Sequence, residues 1–357
     1  MITGHGGNIY KTARQFGCSP YEIIDMSSNV NPIGPPKGLI HFLKENINSI
    51  TVLPEVDSQK ITHAFAGQHD IDPELIVAGN GTTQFIYTIP KALETQKTLI
   101  LGPAYADYAD ACIMHGIDHE YAMAEESKEF KPDINQINKI LTPYDTVFIC
   151  NPNNPTGAMI PLVELEALCR SHPNIYFVVD ESYLPFVISG NKISMIQTSL
   201  PNVIVLISMS KIFRVPGLRL GFMVSSKKII KKLTRYSLPW NVNSLAQAAA
   251  LYLTDKTNKA NSFTEETAAF IETERTKLAK MLEKSSVIKL FPSSTLFVLA
   301  KLKNNYSAEH VCTHLAQNRI LIRNCANFEG LSDQFIRFSL KTPPINAMLA
   351  NKLLELK

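Results

Sequence analysis

Between residues 74 and 225 the chain alternates short, wholly apolar runs with stretches of helical period. The runs are Glu74–Gly79, Lys97–Gly102, Asp145–Cys150, Ile175–Asp180, Val203–Ser208 and Leu220–Ser225. None alternates between apolar and polar positions as a half-wet strand does, so each predicts a strand covered on both faces. Strands of that kind between helical segments predict an α/β domain with a mostly parallel sheet. The pattern changes on either side. Residues 27–38, SSNVNPIGPPKG, are too rich in Gly, Pro and Asn for regular structure and predict an extended arm. From 235 to 265 a loop runs into a long helical segment, and strands recur near 287–292, 295–302, 320–324 and 335–340 among further helices. The expected organisation is an arm over 1–45, a large α/β domain over 46–240 and a smaller α+β domain over 241–357.

Four polar motifs follow the apolar runs. Gly79-Asn80-Gly81-Thr82-Thr83 ends the first and Asn151-Pro152-Asn153-Asn154-Pro155-Thr156-Gly157 follows the third. Asp180-Glu181-Ser182-Tyr183 ends the fourth and Ser208-Met209-Ser210-Lys211 the fifth. Ligands of an open α/β sheet bind beyond the carboxyl ends of its strands, so the four motifs converge on one crevice.

Composition narrows the partner. The 357 residues are 45% apolar and 19% charged, and 35 basic against 32 acidic side chains leave a net charge of +3. That balance argues against a nucleic-acid surface. No apolar run approaches the roughly 18 residues of a membrane span, and the start MITGHGGNIYKT lacks the apolar core of a secretory signal. The KKIIKK run at 227–232 reads as a solvated helix face. Six scattered cysteines with no CxxC pattern suggest reduced thiols and a cytoplasmic protein. No metal is expected. Gly116 interrupts the helix that His115 and His119 would need, and His310 and His314 lack a third ligand nearby.

The motifs carry a recognisable chemistry. A lysine such as Lys211, at the end of a buried strand and close to other cations, would have a lowered pKa and a nucleophilic amine, although a surface lysine in an ordinary loop would also explain the motif taken alone. Arg214 and Arg219, with Ser208 and Ser210, could grip a phosphate through charge-assisted hydrogen bonds. Asp180 directly after an apolar strand is expensive unless something positive meets it, although an N-cap would also explain it. Gly81 and Thr82 lead from strand to helix and offer backbone N–H groups to a phosphate. The prolines of 151–157 fit a tight turn but leave three crowded asparagine amides unexplained.

In order and spacing these segments resemble the fold-type I aminotransferase superfamily of pyridoxal 5′-phosphate enzymes, nearly end to end. The segments SMSKIFRVPGLRLG (208–221) and NPNNPTG (151–157) are the most specific. Within it the chain resembles the histidinol-phosphate aminotransferase branch. The segments HGGNIY (5–10), SSNVNPIGPP (27–36) and IRNCANFEGL (322–331) resemble the threonine-phosphate decarboxylases of cobamide biosynthesis.

The resemblance implies a fold-type I transferase: a large domain with a mostly parallel, seven-stranded-type sheet, a smaller α+β domain, and an arm packed on the active site. It implies pyridoxal 5′-phosphate as cofactor. Lys211 would carry the cofactor covalently and later move the proton, and Asp180 would keep the pyridine nitrogen protonated. Asn154 and Tyr183 would bind the ring oxygen and Tyr105 would stack on the ring. Gly81, Thr82, Ser208, Ser210 and Arg219 would hold the cofactor phosphate. Arg323 and Arg337 would clamp the substrate's anions, with His5, Asn8, Asn31 and Gly34 of the arm and Asn154 beside them. The implied partner is a phosphorylated amino acid, and the implied assembly is a homodimer. One departure stands out: a tyrosine usually precedes Pro54, where this chain has Leu53.

The reaction implied is decarboxylation of O-phospho-L-threonine to (R)-1-amino-2-propanol O-2-phosphate, or of O-phospho-L-serine to ethanolamine phosphate. Histidinol-phosphate transamination is the alternative, since the two chemistries differ by a rotation about one substrate bond. A non-catalytic regulator of this superfamily would need an added DNA-binding segment, for which the chain has no spare length.

Overall fold

The computed structural model describes residues 6–356. Thirteen strands occur in these residues: β1 (Ile24–Asp25), β2 (Ile76–Asn80), β3 (Lys97–Gly102), β4 (Asp118–Met123), β5 (Thr146–Cys150), β6 (Tyr176–Asp180), β7 (Val203–Ser208), β8 (Leu220–Ser225), β9 (Ile288–Leu290), β10 (Phe297–Leu302), β11 (Ile320–Leu321), β12 (Arg323–Asn324) and β13 (Phe335–Ser339). Seven of them form one sheet in the order β2-β8-β7-β6-β5-β3-β4. Only β8 runs against its neighbours, antiparallel to β2 and to β7. The six apolar runs are all in this sheet, and residues such as Val147, Phe148, Phe177 and Val178 are fully buried.

The seventh strand, β4, is absent from the hydrophobic pattern. Its sequence DHEYAM is polar and half-exposed because it is the outer edge, paired only with β3 from Lys97↔Asp118 to Gly102↔Met123. Charged side chains on such an edge discourage pairing with another chain.

A four-stranded antiparallel sheet, β12-β13-β10-β9, lies beyond. The apolar run 320–324 is split between two sheets. Ile320–Leu321 pairs in parallel with β1 of the arm, while Arg323–Asn324 pairs with β13. Ile322, buried between them, marks the switch. The helix Ser244–Thr254 packs on helices Leu39–Glu45 and Gln59–His69. Its Gln247 donates to the Glu55 carbonyl at 2.9 Å, so the helix is seated on the larger sheet's side. A small apolar cluster of Phe130, Phe291, Leu299, Cys325, Phe328, Leu331 and Phe335 lies apart from the main core. No helix of the described residues is long and apolar enough to cross a membrane.

Phe222 on β8 is fully buried and stacks on Phe65 with ring centroids 4.2 Å apart. Phe222→Ala is expected to cost about 3–5 kcal/mol, read as a lowered midpoint in chemical denaturation.

Candidate active site

The inner half of the site is a cup between β2 and the β7–β8 turn. Gly81 opens the helix Gly81–Ala92 with φ +71°, and a Cβ there would lie 2.6 Å from Arg219 Nη2. Gly221 faces it from β8, where a Cβ would lie 2.9 Å from the Thr82 backbone nitrogen. Glycine at both places lets helix N-terminus and strand approach closely. The helix has no side-chain cap, so its first N–H groups are open to an anion. Arg219 and Ser208 line the same cavity. Ser210, by contrast, is buried and its hydroxyl donates to the Leu220 carbonyl at 3.3 Å. Arg214 is not in the cup: its Nη1 donates to the Pro32 carbonyl at 3.0 Å and fastens the arm.

At the end of β6, Asp180 is 5% exposed and accepts from Tyr108 Oη and the Ser182 backbone N–H, both at 2.9 Å. Burial pushes its pKa up, opposed by the hydrogen bonds from Ser182 and Tyr108 and by the Lys211 charge. The Ser182 bond is a local turn two residues on, and no helix is capped by it. Lys211, from the short helix Met209–Ile212 that follows β7, shares the cavity with Asp180. Burial, followed by the charges of Arg219 and Arg337, pulls its amine down to about 8. Tyr105 and Tyr183 line the space between cup and exterior, and burial raises the pKa of both.

The crowded amides divide into structural and cavity-lining roles. Asn151 exchanges two hydrogen bonds with Ile160, at 3.0 and 2.8 Å. Asn153 donates to the Pro103 carbonyl at 2.8 Å. Only Asn154 of the three lines both halves of the site, where its Oδ1 accepts from Arg337.

The outer half contains the two arginines. Arg323 and Arg337 are register partners across β12 and β13. Like charges placed opposite each other repel, yet neither makes an ion pair among the described residues. Arg337 is 4% exposed, donates from Nη2 to the Ser27 carbonyl at 2.6 Å and lies 5.2 Å from the Phe297 ring centroid. Its Nε is buried with no partner. Arg323 donates to Asn327 Oδ1 at 2.6 Å and lies over the Phe328 ring. Both arginines and Lys211 line one outer cavity.

The arm contributes less directly than expected. Asn31 is fully buried, with its amide donating to the Ile212 carbonyl at 2.7 Å and Thr267 Oγ1 at 3.1 Å, and its oxygen accepting from Ile33 N. The side chain is therefore spent on anchoring, away from the cavity. Asn8 caps the helix Ile9–Phe16 through the Lys11 N–H at 3.0 Å and lines an adjoining groove. Gly34 lies outside the cavity lining and takes φ +112°, a backbone need that only glycine meets comfortably. His5 lies outside the described residues. Residues without an assigned role in the sequence reading take those places. Ser27, Ser28 and Asn29 line the cavity, and Asn29 Nδ2 donates to Tyr183 Oη at 3.2 Å. Tyr108, three residues past Tyr105 and just inside the helix Asp107–His115, likewise has no role in the sequence reading and holds Asp180.

The chain belongs to the aminotransferase class I and II family, whose sequence pattern matches residues 21–353. Its fold is the fold-type I arrangement of that family. It is 33% identical over 347 residues, 96% of its length, to the adenosylcobalamin biosynthesis bifunctional protein CobDQ of Leptospira interrogans, and spans 40% of that protein. It is 29% identical to the threonine-phosphate decarboxylase of Salmonella typhimurium, covering 97% of this chain and 94% of that one. The crystal structure of L-threonine-O-3-phosphate decarboxylase from Porphyromonas gingivalis superposes with a TM-score of 0.83 at 28% identity, covering 93% and 98% of the two chains.

The arrangement around Lys211 makes a pH prediction. Only the neutral amine reacts, so acylation of Lys211 in the apo protein should be half-maximal near pH 8, against 10.5 for an ordinary lysine. Arg219→Ala removes a charge that disfavours the ammonium form, so the midpoint should rise. Mass spectrometry of the modified peptide reads both.

Proposed function

We propose that this chain is a pyridoxal 5′-phosphate-dependent decarboxylase of an O-phospho-L-amino acid, with O-phospho-L-threonine as the preferred substrate. The observation that carries this reading is the Arg323–Arg337 pair: two cations in register, unneutralised by any described side chain, beside a lysine with a lowered pKa. A small molecule bearing two anionic groups and an amine suits that arrangement. The names of the similar proteins favour phosphothreonine over phosphoserine in this reading.

The site also fits the cofactor. Gly81, Thr82, Ser208 and Arg219 form the cup for its phosphate, Asp180 would meet its ring nitrogen, and Tyr183 and Asn154 its ring oxygen. When bound, pyridoxal phosphate supplies a conjugated electron sink for a bond broken at the substrate's Cα. The protein's part is then orientation and proton handling. Arg337 and Arg323 would fix the substrate's two anionic ends, and where they hold those ends would decide which Cα bond is set to break. Lys211, with its lowered pKa, is suited to holding and returning a proton near neutral pH.

The test is a reaction of the cofactor-loaded protein with O-phospho-L-threonine and O-phospho-L-serine separately, without any keto acid. The expected outcome is carbon dioxide and the corresponding amine phosphate, detected by mass spectrometry. A methyl group is worth roughly 1–3 kcal/mol in a fitted pocket, so the ratio of the two rates measures how closely the pocket fits threonine. Glutamate formed only from histidinol phosphate with 2-oxoglutarate would identify an aminotransferase instead.

We also infer a homodimer. Val52 and Leu53 are exposed, Leu53 at 72%, and so are Leu238 and Trp240. Trp240 N donates to the Val56 carbonyl at 3.1 Å, so both segments belong to one apolar surface. A second copy of the chain is the occupant this reading assigns to it. Light scattering should give twice the 39.8 kDa chain mass, and Leu53→Lys should shift the protein toward monomer.

A further inference from the structure

The loop Cys325–Leu331 is held from several sides. Phe328, Cys325 and Leu331 plug into the separate apolar cluster with Phe130, Phe291 and Phe335. The Cys325 N–H donates to the Phe335 carbonyl at 3.0 Å, and the Phe328 and Leu331 N–H groups close two successive turns, each at 3.0 Å. Gly330 takes φ +82° and abuts the end of β4, where a Cβ would come within 2.8 Å of Met123 Sδ. Nearby, Lys301 on β10 pairs with Glu126 at 2.8 Å across the same seam. The loop is thus pinned between the two sheets.

What this loop presents to the cavity is one acceptor and one ring. Asn327 Oδ1 takes a hydrogen bond from Arg323 Nη2 at 2.6 Å, and the guanidinium centre lies 5.1 Å from the Phe328 ring centroid. Arg323, Asn327 and Phe328 all line the outer cavity. A carboxylate at position 327 would orient the guanidinium at least as firmly, because charge-assisted bonds are stronger. It would also neutralise it. An amide oxygen fixes one N–H and leaves the net charge available to an incoming anion.

We propose that Asn327 and Phe328 are positioning residues that set specificity for the substrate's outer anionic group by orienting Arg323 without neutralising it. This rests on the reading above, in which that group is a phosphate monoester. It assigns a role to the segment NCANFEGL (324–331) that the chemistry at Lys211 does not require.

The test uses the cofactor-loaded protein and Asn327→Ala, Asn327→Asp and Phe328→Leu. Loss of one hydrogen bond to a charged group predicts that Asn327→Ala raises KM for O-phospho-L-threonine about tenfold, with a smaller change in kcat. Asn327→Asp keeps the shape and the acceptor, so a residue that merely shaped the loop would be rescued by it. The proposal expects the opposite order, with Asn327→Asp worse than Asn327→Ala because its charge competes with the substrate for Arg323. Phe328→Leu keeps the apolar plug and loses the ring, and should also raise KM. Affinity for inorganic phosphate, measured by calorimetry on the same proteins, should fall from wild type to Asn327→Ala to Asn327→Asp. If Asn327→Asp has a KM no higher than that of Asn327→Ala and a phosphate affinity no lower, the proposal is wrong. If wild type decarboxylates neither phosphorylated amino acid, the functional reading fails on its own. The order of phosphate affinities then still decides the loop: the expected order supports it, and equal affinities overturn it.

Discussion

Arg337 is the point on which this structure depends. Burying a guanidinium is costly unless its N–H groups find acceptors. Its acceptors come from separate parts of the chain: the Asn154 side chain beyond β5 and the Ser27 carbonyl of the arm, with the Phe297 ring of β10 against it. One side chain therefore ties the arm, the seven-stranded sheet and the four-stranded sheet together. Remove it, and three segments lose a common partner.

The hydrogen-bond acceptors of the two arginines are uncharged by arrangement. Asn154, the Ser27 carbonyl and Asn327 all accept hydrogen bonds without cancelling a positive charge. A nearby carboxylate, Asp25, is turned to other work. It accepts from the Ser27 backbone N–H at 2.9 Å, the Ser27 hydroxyl at 2.7 Å and the Ser28 backbone N–H at 3.1 Å, and also from the Ser28 hydroxyl. Those bonds shape the turn that aims the Ser27 carbonyl at Arg337, and Ser27 Oγ in turn accepts from the Gly7 N–H at 2.7 Å. The arm acts mainly as a brace: the Asn31 N–H even donates to the Lys211 carbonyl, at 3.0 Å.

How much of this the sequence reveals depends on whether a feature is periodic and local. Buried strands such as Val203–Ser208 are legible because burial on both faces forces an unbroken apolar run. The edge strand β4 is not, because one neighbour and a wet face permit a polar sequence. The positions of Lys211 and Asp180 follow from their places at strand ends. Which of three asparagines faces the cavity does not, since Asn151, Asn153 and Asn154 differ only in where the turn points them. Asn31 illustrates the same limit: an amide in an irregular arm can serve a ligand or a carbonyl equally well, and only the fold chooses. The split of residues 320–324 between two sheets is likewise a tertiary choice written over a uniform apolar run.

The reversal of β8 has a consequence for how the two halves of the site are coupled. Because β8 returns antiparallel to β7, with Ser208 opposite Gly221, Lys211 and Arg219 sit within one closed turn. Closing so short a loop costs little entropy, and the strand pairing at its base holds the lysine and the cup arginine at a fixed span. Arg323 and Arg337 ride instead on the four-stranded sheet. A rotation of that sheet would leave the Lys211–Arg219 span untouched while changing the reach from the amine to the anion clamp and pulling on the Arg337 bonds to Asn154 and Ser27. The grip on the cofactor phosphate and the reach to the substrate are thus set by different sheets, and the Arg337–Asn154 hydrogen bond is the link through which a change in one is felt by the other.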